Sequence, residues 1–542
     1  MLIDARHMDD RAVLNAELIV VGAGPAGISI VDRLRDTGLS ICLIDGGGLL
    51  PEFRSQALYR GESVGRRYFR LDGCRFRQFG GSSNRWGGWC WPLNSADFAS
   101  RDWLAWSGWP IDRAEIEPWF ADTARLLQLR TSRFDTAAWP DRIPPPFELS
   151  GSGFANSIAQ YSPETNFGVI YRDRILGARH VTTMLHANVT ELVLDAHGHR
   201  VTTVQVRTLN GRSLQVQGRA VVLAAGGIEN PRLLLASRGV RPAGIGNEHD
   251  LVGRFFMEHL HVPAGHLTPH ARPLDWDFYR KATYDGRRVR GLLTPTADAQ
   301  ATRRLLACSI AIEDARYAYG TPFIGWSPLL MSPLARAYGQ LQAAGHTSVA
   351  ESLRHAADRT WSIGRHASTW RSARRARMRQ AQSAGDTRGQ LLSLYFRSEQ
   401  SPNPSSRVRL SNRRDELGVP RAQLDWQLQD SDTGSILAWL RHLDTELRRR
   451  SLGSVIAPEK DWREKIIGGP HHIGTTRMSA DPRTGVVDAS CRVHSVQNLY
   501  VAGSSVFSTG GHVNPTFTLV ALALRLADEL ERALTEERLA GS

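Results

Sequence analysis

Lysine is almost absent from this chain of 542 residues, although its formal net charge is +13. Arginine supplies nearly all of the positive charge, and only Lys281, Lys460 and Lys465 are lysines. The basic residues are dispersed, and no known nucleic-acid-binding module accompanies them. A coding bias towards arginine explains this pattern better than a binding surface does, so no nucleic-acid partner is expected.

Long apolar runs and paired cysteines are also missing. No stretch reaches the roughly 18 consecutive apolar residues that a transmembrane helix needs. The first apolar run, residues 18–21, leads into a glycine-rich turn and not into a cleavage site. A cytoplasmic protein is therefore expected, although export with a partner subunit that carries the signal stays open. The five cysteines are scattered without a CxxC pair, which predicts neither a disulfide framework nor a metal site.

The most informative stretch is residues 17–48, ELIVVGAGPAGISIVDRLRDTGLSICLIDGGG. It predicts a buried strand, a glycine turn, a helix and a second strand. In GxGxxG spacing, Gly22 makes the tight turn, Gly24 lets backbone amides approach a pyrophosphate, and Gly27 allows close helix–strand packing. Asp45 ends the second strand, where its carboxylate accepts hydrogen bonds from ribose hydroxyls. The stretch predicts a bound dinucleotide but does not distinguish FAD from NAD.

Four further motifs follow along the chain. They are RQFGGSSNRWGGWCWPL at 77–93, VVLAAGGIENPRLLLAS at 221–237, VGRFFMEH at 252–259, and the pair HHIGTTRM (471–478) and GGHVNPT (510–516). With the first stretch they come in the order of the glucose–methanol–choline (GMC) oxidoreductases, which the chain resembles. The resemblance is nearest to the pyranose oxidase and bacterial sugar dehydrogenase flavoprotein branches. It covers nearly the whole chain except roughly residues 270–395.

The resemblance implies an α/β fold, with a doubly wound FAD-binding domain and an inserted α+β substrate domain built on an antiparallel sheet. The FAD-binding domain is expected to be discontinuous, over residues 14–130, 181–270 and 466–540. The substrate domain is then expected over residues 131–180 and 271–465. It includes a helical insertion rich in Arg and Trp near 315–390.

The resemblance also implies the cofactor and its ligands. FAD is expected to contact Gly22, Gly24, Gly27, Asp45, Gly81, Ser82, Ser83, Asn84, Val189, Ala225, Gly503, Asn514 and Thr516. In pyranose oxidase-like members, a histidine just before the Trp of the second glycine turn is covalently bonded to the flavin. Here Arg85 stands at that position, so FAD is expected to be bound non-covalently.

The same resemblance assigns the catalytic pair. The family's active-site histidine precedes the Met of the GTxxM turn at the position held by His471, and its partner corresponds to Asn514. A neutral imidazole suits removal of a hydroxyl proton, because its pKa lies near physiological pH. The Asn amide can donate a hydrogen bond to the developing alkoxide. His472 is expected to turn away, His259 is interpreted as structural, and His512 either lines the ring or caps the helix.

The resulting prediction is an FAD-dependent enzyme that oxidises a CH–OH group of a sugar, glycoside or polyol. His471 takes the proton and flavin N5 takes the hydride, while the electron acceptor (oxygen, quinone or redox protein) stays open. Two alternatives remain: an FAD-containing lyase on the same scaffold, and a flavoprotein subunit that works only with a cytochrome partner. The 315–390 insertion fits an exposed helical segment, a peripheral membrane or redox-partner contact, or a channel for anionic substrates.

Overall fold

The computed structural model describes residues 1–139, 143–163, 166–270, 274–284, 286–315, 391–458 and 460–540. The predicted Arg/Trp-rich insertion near 315–390 therefore lies, beyond its first residue, outside the described residues. Strands are numbered along the chain: β1 Leu2–Asp4, β2 Val13–Val21, β3 Ile41–Ile44, β4 Glu62–Ser63, β5 Trp89–Cys90, β6 Phe154–Tyr161, β7 Val181–Leu185, β8 Asn188–Leu194, β9 Val201–Arg207, β10 Ser213–Leu223, β11 Leu260–Pro269, β12 Lys281–Tyr284, β13 Arg287–Pro295, β14 Cys308–Asp314, β15 Leu392–Ser398, β16 Arg407–Arg414, β17 Pro420–Asp425, β18 Gly453–Ile456 and β19 Leu499–Val501.

The helices of the described residues follow the same numbering. The longest is the last one, which starts directly after the Asn-Pro pair of the GGHVNPT motif. In chain order they are α1 Pro25–Leu34, α2 Phe53–Ala57, α3 Ser95–Phe98, α4 Phe120–Leu126, α5 Phe167–Ile170, α6 Arg172–Leu176, α7 Glu229–Ala236, α8 Ala297–Arg303, α9 Asp430–Arg449 and α10 Thr516–Ala540. No helix of the described residues is both long and apolar enough to cross a bilayer.

A parallel sheet carries the first glycine turn. Its strands run in the order β1-β7-β3-β2-β10, and β19 also pairs with β10; all of these pairs are parallel. Strand β2 is central and apolar, and Leu18, Ile19 and Val20 are fully buried, as expected for a strand covered on both faces. Beyond β10 the sheet continues antiparallel through β9 and β8.

An antiparallel sheet forms the second layer of the molecule. Its order is β18-β11-β15-β14-β13-β6-β5, with β12 paired to β13. A three-stranded sheet, β16-β17-β4, lies beside it. Two separate hydrophobic clusters form, one around the parallel sheet and one around the antiparallel sheet. The predicted α/β class, with a parallel sheet and a separate antiparallel sheet, is confirmed.

The predicted domain division stays a prediction, because membership of a sheet does not define a folding unit. The sheets do place two strands on the other side of the predicted boundaries. Strand β11, Leu260–Pro269, falls within the segment 181–270 assigned to the dinucleotide domain, but it pairs with β15 and β18. Strand β5, Trp89–Cys90, falls within 14–130 but pairs with β6. Strand β11 directly follows the VGRFFMEH motif, and β5 lies within the motif of residues 77–93. Both motifs are therefore attached to the antiparallel sheet.

Candidate active site

One cavity lies where the sequence motifs of both layers meet. Residues of the first glycine turn line one end, and His471 and Asn514 line the other. Of the thirteen residues expected to contact the cofactor, all but two line this cavity: Gly22, Gly24, Asp45, Gly81, Ser82, Ser83, Val189, Ala225, Gly503, Asn514 and Thr516. The cavity therefore collects residues that are far apart in the chain, from Gly22 to Thr516.

Gly27 and Asn84 do not line the cavity, and each has a local structural role. A Cβ on Gly27 would stand 2.0 Å from the carbonyl oxygen of Gly22, so a larger residue would separate helix α1 from strand β2. The Asn84 amide donates a hydrogen bond to the Phe79 carbonyl at 2.8 Å. Gly27 thus has the packing role expected of it, while Asn84 holds the second glycine turn together.

The backbone conformation and the surroundings of Gly24 indicate whether the cavity fits a dinucleotide. Its φ is −84°, which any residue can adopt, and no atom lies within 4 Å of the position where a Cβ would stand. Neither backbone conformation nor packing within the protein therefore requires glycine here. The bare backbone at the start of helix α1 faces the cavity, as close approach of a pyrophosphate demands. The residues present fit FAD at this end.

Asp45 is held in place by the same turn. Its carboxylate accepts hydrogen bonds from the backbone N–H of Ala23 at 2.9 Å and of Gly47 at 2.8 Å. Burial raises the pKa of Asp45, and these two hydrogen bonds oppose that shift. The carboxylate therefore both closes the turn and lines the cavity where a ribose would lie.

At the other end of the cavity, four polar side chains form one hydrogen-bonded chain. His259 Nε2 lies 3.0 Å from the Gly510 carbonyl oxygen, and His259 Nδ1 lies 2.8 Å from His471 Nδ1. His471 Nε2 lies 3.0 Å from Asn514 Nδ2. The Asn514 carbonyl oxygen accepts a hydrogen bond from Arg397 Nη1 at 3.0 Å.

The direction of each bond in this chain follows from its two ends. A carbonyl can only accept, so His259 Nε2 carries a proton and Nδ1 of neutral His259 must accept from His471 Nδ1. A guanidinium can only donate, so the Asn514 oxygen faces Arg397 and the amide N–H2 points at His471. Nε2 of His471 is therefore the nitrogen with the lone pair, next to the Asn514 amide donors.

The environment also keeps His471 neutral. Burial lowers the pKa of His471 well below its usual value of 6.5, and His259, His261 and Arg397 add to this shift. Burial lowers the pKa of His259 to about 4. Both imidazoles are therefore uncharged at neutral pH, as the directions of the hydrogen bonds require.

Glu258 fixes the backbone that carries His471. Its carboxylate accepts hydrogen bonds from the N–H groups of Gly469 at 2.8 Å and of His471 at 2.9 Å, and from the Tyr68 hydroxyl. The side chain is almost fully buried, and burial raises the pKa of Glu258 to about 7. Glu258 thus holds the backbone of His471, and the next residue in the chain, His259, holds its ring.

Three further histidines differ in their contacts. The ring of His259, which was interpreted as structural, bonds directly to His471. His472 borders the same cavity, but its Nε2 lies 3.7 Å from Cys74 Sγ and not at Asn514. His512 is buried edge-on against Trp91 and does not line the cavity.

Two family models match the chain. Both are described as GMC oxidoreductase; the N-terminal model covers residues 175–261 and the C-terminal model covers residues 402–523. The chain belongs to the GMC oxidoreductases. The resemblance inferred from the motifs is thereby confirmed, together with the enzyme class.

Relatives of this GMC oxidoreductase act on different alcohols. The fructose dehydrogenase large subunit of Gluconobacter japonicus is 25% identical over 334 residues, covering 61% of this chain and 51% of the relative. Paromamine 6'-oxidase of Streptomyces fradiae is 39% identical over 126 residues, or 23% of each chain. The 2-methyl-1,2-propanediol dehydrogenase of Mycolicibacterium austroafricanum is 22% identical, with 96% of both chains covered. The first alignment thus spans about half of the relative's length, and the second spans about a quarter.

Solved structures share the fold over nearly the full length. Pyridoxine 4-oxidase from Mesorbium loti aligns with a TM-score of 0.55 at 18% identity, covering 95% of this chain and 99% of its own. A fungal aryl-alcohol oxidase gives a TM-score of 0.55 at 14% identity, covering 97% and 100%. At such identities the likeness concerns the fold alone.

Sequence reasoning missed Arg397 and the contact between His259 and His471. Both lie on strands of the antiparallel sheet or at their ends, far in sequence from His471. The signal for Arg397 was a lone charge in LSLYFRS, where all seven residues of the strand are buried. The signal for His259 was its position after Glu258, in a segment that the family motif already marked.

Proposed function

We propose that this GMC oxidoreductase oxidises a CH–OH group of a sugar, glycoside or polyol, with His471 as the base. The observation that carries the proposal is the direction of the hydrogen-bonded chain. It leaves the lone pair of His471 Nε2 at the cavity end where Asn514 offers its amide donors. An uncharged imidazole that can accept a proton and an adjacent hydrogen-bond donor are the two groups that removal of a hydroxyl proton requires.

The cofactor of the proposal is FAD, held without a covalent bond. Gly22, Gly24 and Asp45 would hold its adenosine half, and Gly81 and Ser82 would lie against its ring. When bound, FAD supplies the acceptor for the hydride that leaves the substrate carbon. Arg85 supports the non-covalent assignment, because a guanidinium does not replace the linking histidine of related sequences. Acid precipitation should release the yellow colour into the supernatant, and colour retained in the pellet would contradict this part.

The protein's own residues then have separate tasks. His471 accepts the hydroxyl proton at Nε2, where the substrate hydroxyl would replace the Asn514 N–H on the single lone pair. The His259 ring keeps the other nitrogen, Nδ1, protonated. The Asn514 amide donates to the substrate oxygen as negative charge develops there. Arg397 orients that amide by donating to its carbonyl oxygen. His259 and Arg397 are buried, and exclusion of water there strengthens the hydrogen bonds that they make to His471 and Asn514.

Anaerobic mixing of the FAD-loaded protein with a panel of sugars, glycosides and polyols tests the proposal. Bleaching of the oxidised flavin spectrum, with a carbonyl product in equal amount, is expected for at least one compound. A lyase would consume its substrate with the flavin still oxidised, and that result would contradict the proposal.

One relative supports a second candidate for how electrons leave the protein. The fructose dehydrogenase large subunit is, by its name, one subunit of a larger assembly. If this chain also works only with a redox partner, anaerobic flavin reduction would be normal while turnover with soluble dyes or oxygen would be negligible. Sustained turnover of the isolated chain with a dye would exclude the obligatory partner.

A further inference from the structure

The hydrogen-bonded chain at the catalytic end contains two imidazoles in direct contact, His259 and His471, here called the histidine pair. Their Nδ1 atoms lie 2.8 Å apart, and His259 Nε2 lies 3.0 Å from the Gly510 carbonyl oxygen. A carbonyl oxygen accepts hydrogen bonds but takes no proton at neutral pH, and neither does the Asn514 amide at the other end. The Arg397 guanidinium is already charged. Within this chain, only the histidine pair can gain a proton, and the bonds beyond His259 lead it no further.

His471 alone would hold an added proton poorly. Burial lowers its pKa well below 6.5, and the neighbouring His259, His261 and Arg397 lower it further. A second imidazole in contact opposes this effect, because the bond from an imidazolium N–H to a neutral ring nitrogen is charge-assisted and about twice as strong as a neutral one. The His259 ring is fully buried, so water does not compete for its Nδ1 atom.

The geometry suits an added proton on either ring. If His471 carries it, its Nδ1–H donates to His259 Nδ1. If the Nδ1 proton has moved across, His259 Nδ1–H donates to His471, and His259 Nε2–H still donates to the Gly510 carbonyl. Both N–H groups of a charged His259 therefore have an acceptor. The separation of 2.8 Å is within the reach that proton transfer needs.

The charged and titratable groups around the histidine pair could compete for the same proton. They are His261, Arg397, Glu258, His472, His512 and Glu399. Glu399 forms an ion pair with Arg101 at 2.6 Å. Burial lowers the pKa of His472 and of His512 to about 3, and that of His261 well below 6.5. Burial raises the pKa of Glu258 to about 7, so its titration has to be separated from that of the pair.

We propose that His259 is a second proton acceptor, and that the proton taken from the substrate is held between His471 and His259 as a charge shared by both imidazoles. This rests on the proposed function. The substrate O–H bond breaks as the His471 Nε2–H bond forms, and the proton on His471 Nδ1 moves towards His259 Nδ1. The hydride leaves the carbon with its electron pair, so the histidine pair gains one proton and one positive charge. The negative charge that the hydride brings to the cofactor compensates this positive charge.

The pH dependence of the flavin midpoint potential tests the shared proton without a substrate. The final state is the same whether the electrons come from a CH–OH group or from dithionite, so the histidine pair should gain its proton in both cases. FAD-loaded protein is titrated anaerobically with dithionite at several pH values across neutrality. Each proton taken up with two electrons shifts the potential by about 30 mV per pH unit. We expect two protons per two electrons in the wild type, one at the flavin and one at the histidine pair.

Three variants separate the histidine pair from its surroundings. His259→Gln keeps an oxygen that accepts from His471 Nδ1–H but cannot take a proton, so the count should fall from two protons towards one. His512→Gln changes a buried neighbour whose ring packs on Trp91, and it should keep two. Glu258→Gln removes the carboxyl that titrates near neutral pH, and it should also keep two. The visible spectrum of bound FAD verifies the fold of each variant.

The shared proton and the proposed oxidation can fail separately. One proton per two electrons in the wild type, two in His259→Gln, or an equal fall in His512→Gln would overturn the shared proton and leave the oxidation standing. A count that falls in Glu258→Gln but not in His259→Gln would overturn it too, because Glu258 would then be the acceptor. A count of two that depends on His259, in a protein whose flavin no sugar, glycoside or polyol bleaches, would support the histidine pair and contradict the oxidation.

Discussion

His259 offers the most specific test of the hydrogen-bonded chain. Its Nδ1 accepts the proton of His471 Nδ1 at 2.8 Å, and the His259 ring that supplies this acceptor is fully buried. In His259→Leu the His471 Nδ1–H loses this acceptor, and a buried unsatisfied donor costs about 1–3 kcal/mol. The reactive tautomer, with the proton on Nδ1, is thereby destabilised relative to the tautomer with the proton on Nε2, which cannot act as a base.

The same free energy sets the expected loss of rate. A cost of about 1–3 kcal/mol corresponds to a fall of roughly fivefold to a hundredfold in the population of the reactive tautomer. Anaerobic stopped-flow reduction of the FAD-loaded variant should slow by that factor, with the dissociation constant of the substrate nearly unchanged. His259→Gln should recover part of the rate, because its amide oxygen can still accept.

His266→Leu is the matched control, because His266 lies further along β11 and its ring contacts Ser393. It should reduce its flavin at the wild-type rate. A wild-type rate in His259→Leu, or an equal loss in His259→Leu and His259→Gln, would refute the tautomer reasoning.

Three further predictions concern charge and pH. The pKa of His471 is lowered well below 6.5, so the rate of wild-type flavin reduction should not change from pH 6.5 upwards and should fall only in acid, where the base gains a proton. A midpoint above pH 6.5 in the stopped-flow pH profile would contradict this. Burial raises the folded-state pKa of Glu258 from 4.5 to about 7, so its contribution to stability is present below the unfolded value and is lost as pH rises towards 7. Glu258→Gln should therefore show a smaller decrease in melting temperature between pH 5 and pH 7.5 than the wild type, and an identical decrease would count against the assignment. Asp45→Ala should weaken FAD binding by about 1.5–3 kcal/mol, measured by equilibrium dialysis, and unchanged affinity would remove Asp45 from the ribose contacts.

The dinucleotide end of the molecule could be predicted because its signals are local. The strand, turn and helix of residues 17–34 follow from apolar periodicity and glycine spacing, and the structure has β2 and α1 there. The strand Leu499–Val501 and the helix that starts at Thr516 follow in the same way. In each case the residues that decide the conformation are near neighbours in the chain.

The catalytic end could be predicted only in part. His471 and Asn514 stand in recognisable motifs, but the proton on His471 is positioned by His259, and Asn514 is oriented by Arg397. Those contacts depend on how β11 and β15 approach the loop that carries His471, which no local pattern encodes. Asn84 differs in another way, because its place in a ligand-binding turn predicts a cofactor contact, whereas the contact that the structure shows is the bond of its amide to Phe79.

The neighbouring histidines allow the most direct test of the central claim, that His471 is the base. FAD-loaded wild type, His471→Ala and His472→Ala are reduced anaerobically by the same substrate. His471→Ala should keep its FAD and lose roughly a hundredfold to ten-thousandfold in the rate of flavin reduction, the usual share of a positioned general base. His472→Ala, whose ring lies at Cys74, should stay near the wild-type rate. A severe loss in His472→Ala with His471→Ala spared would contradict the account.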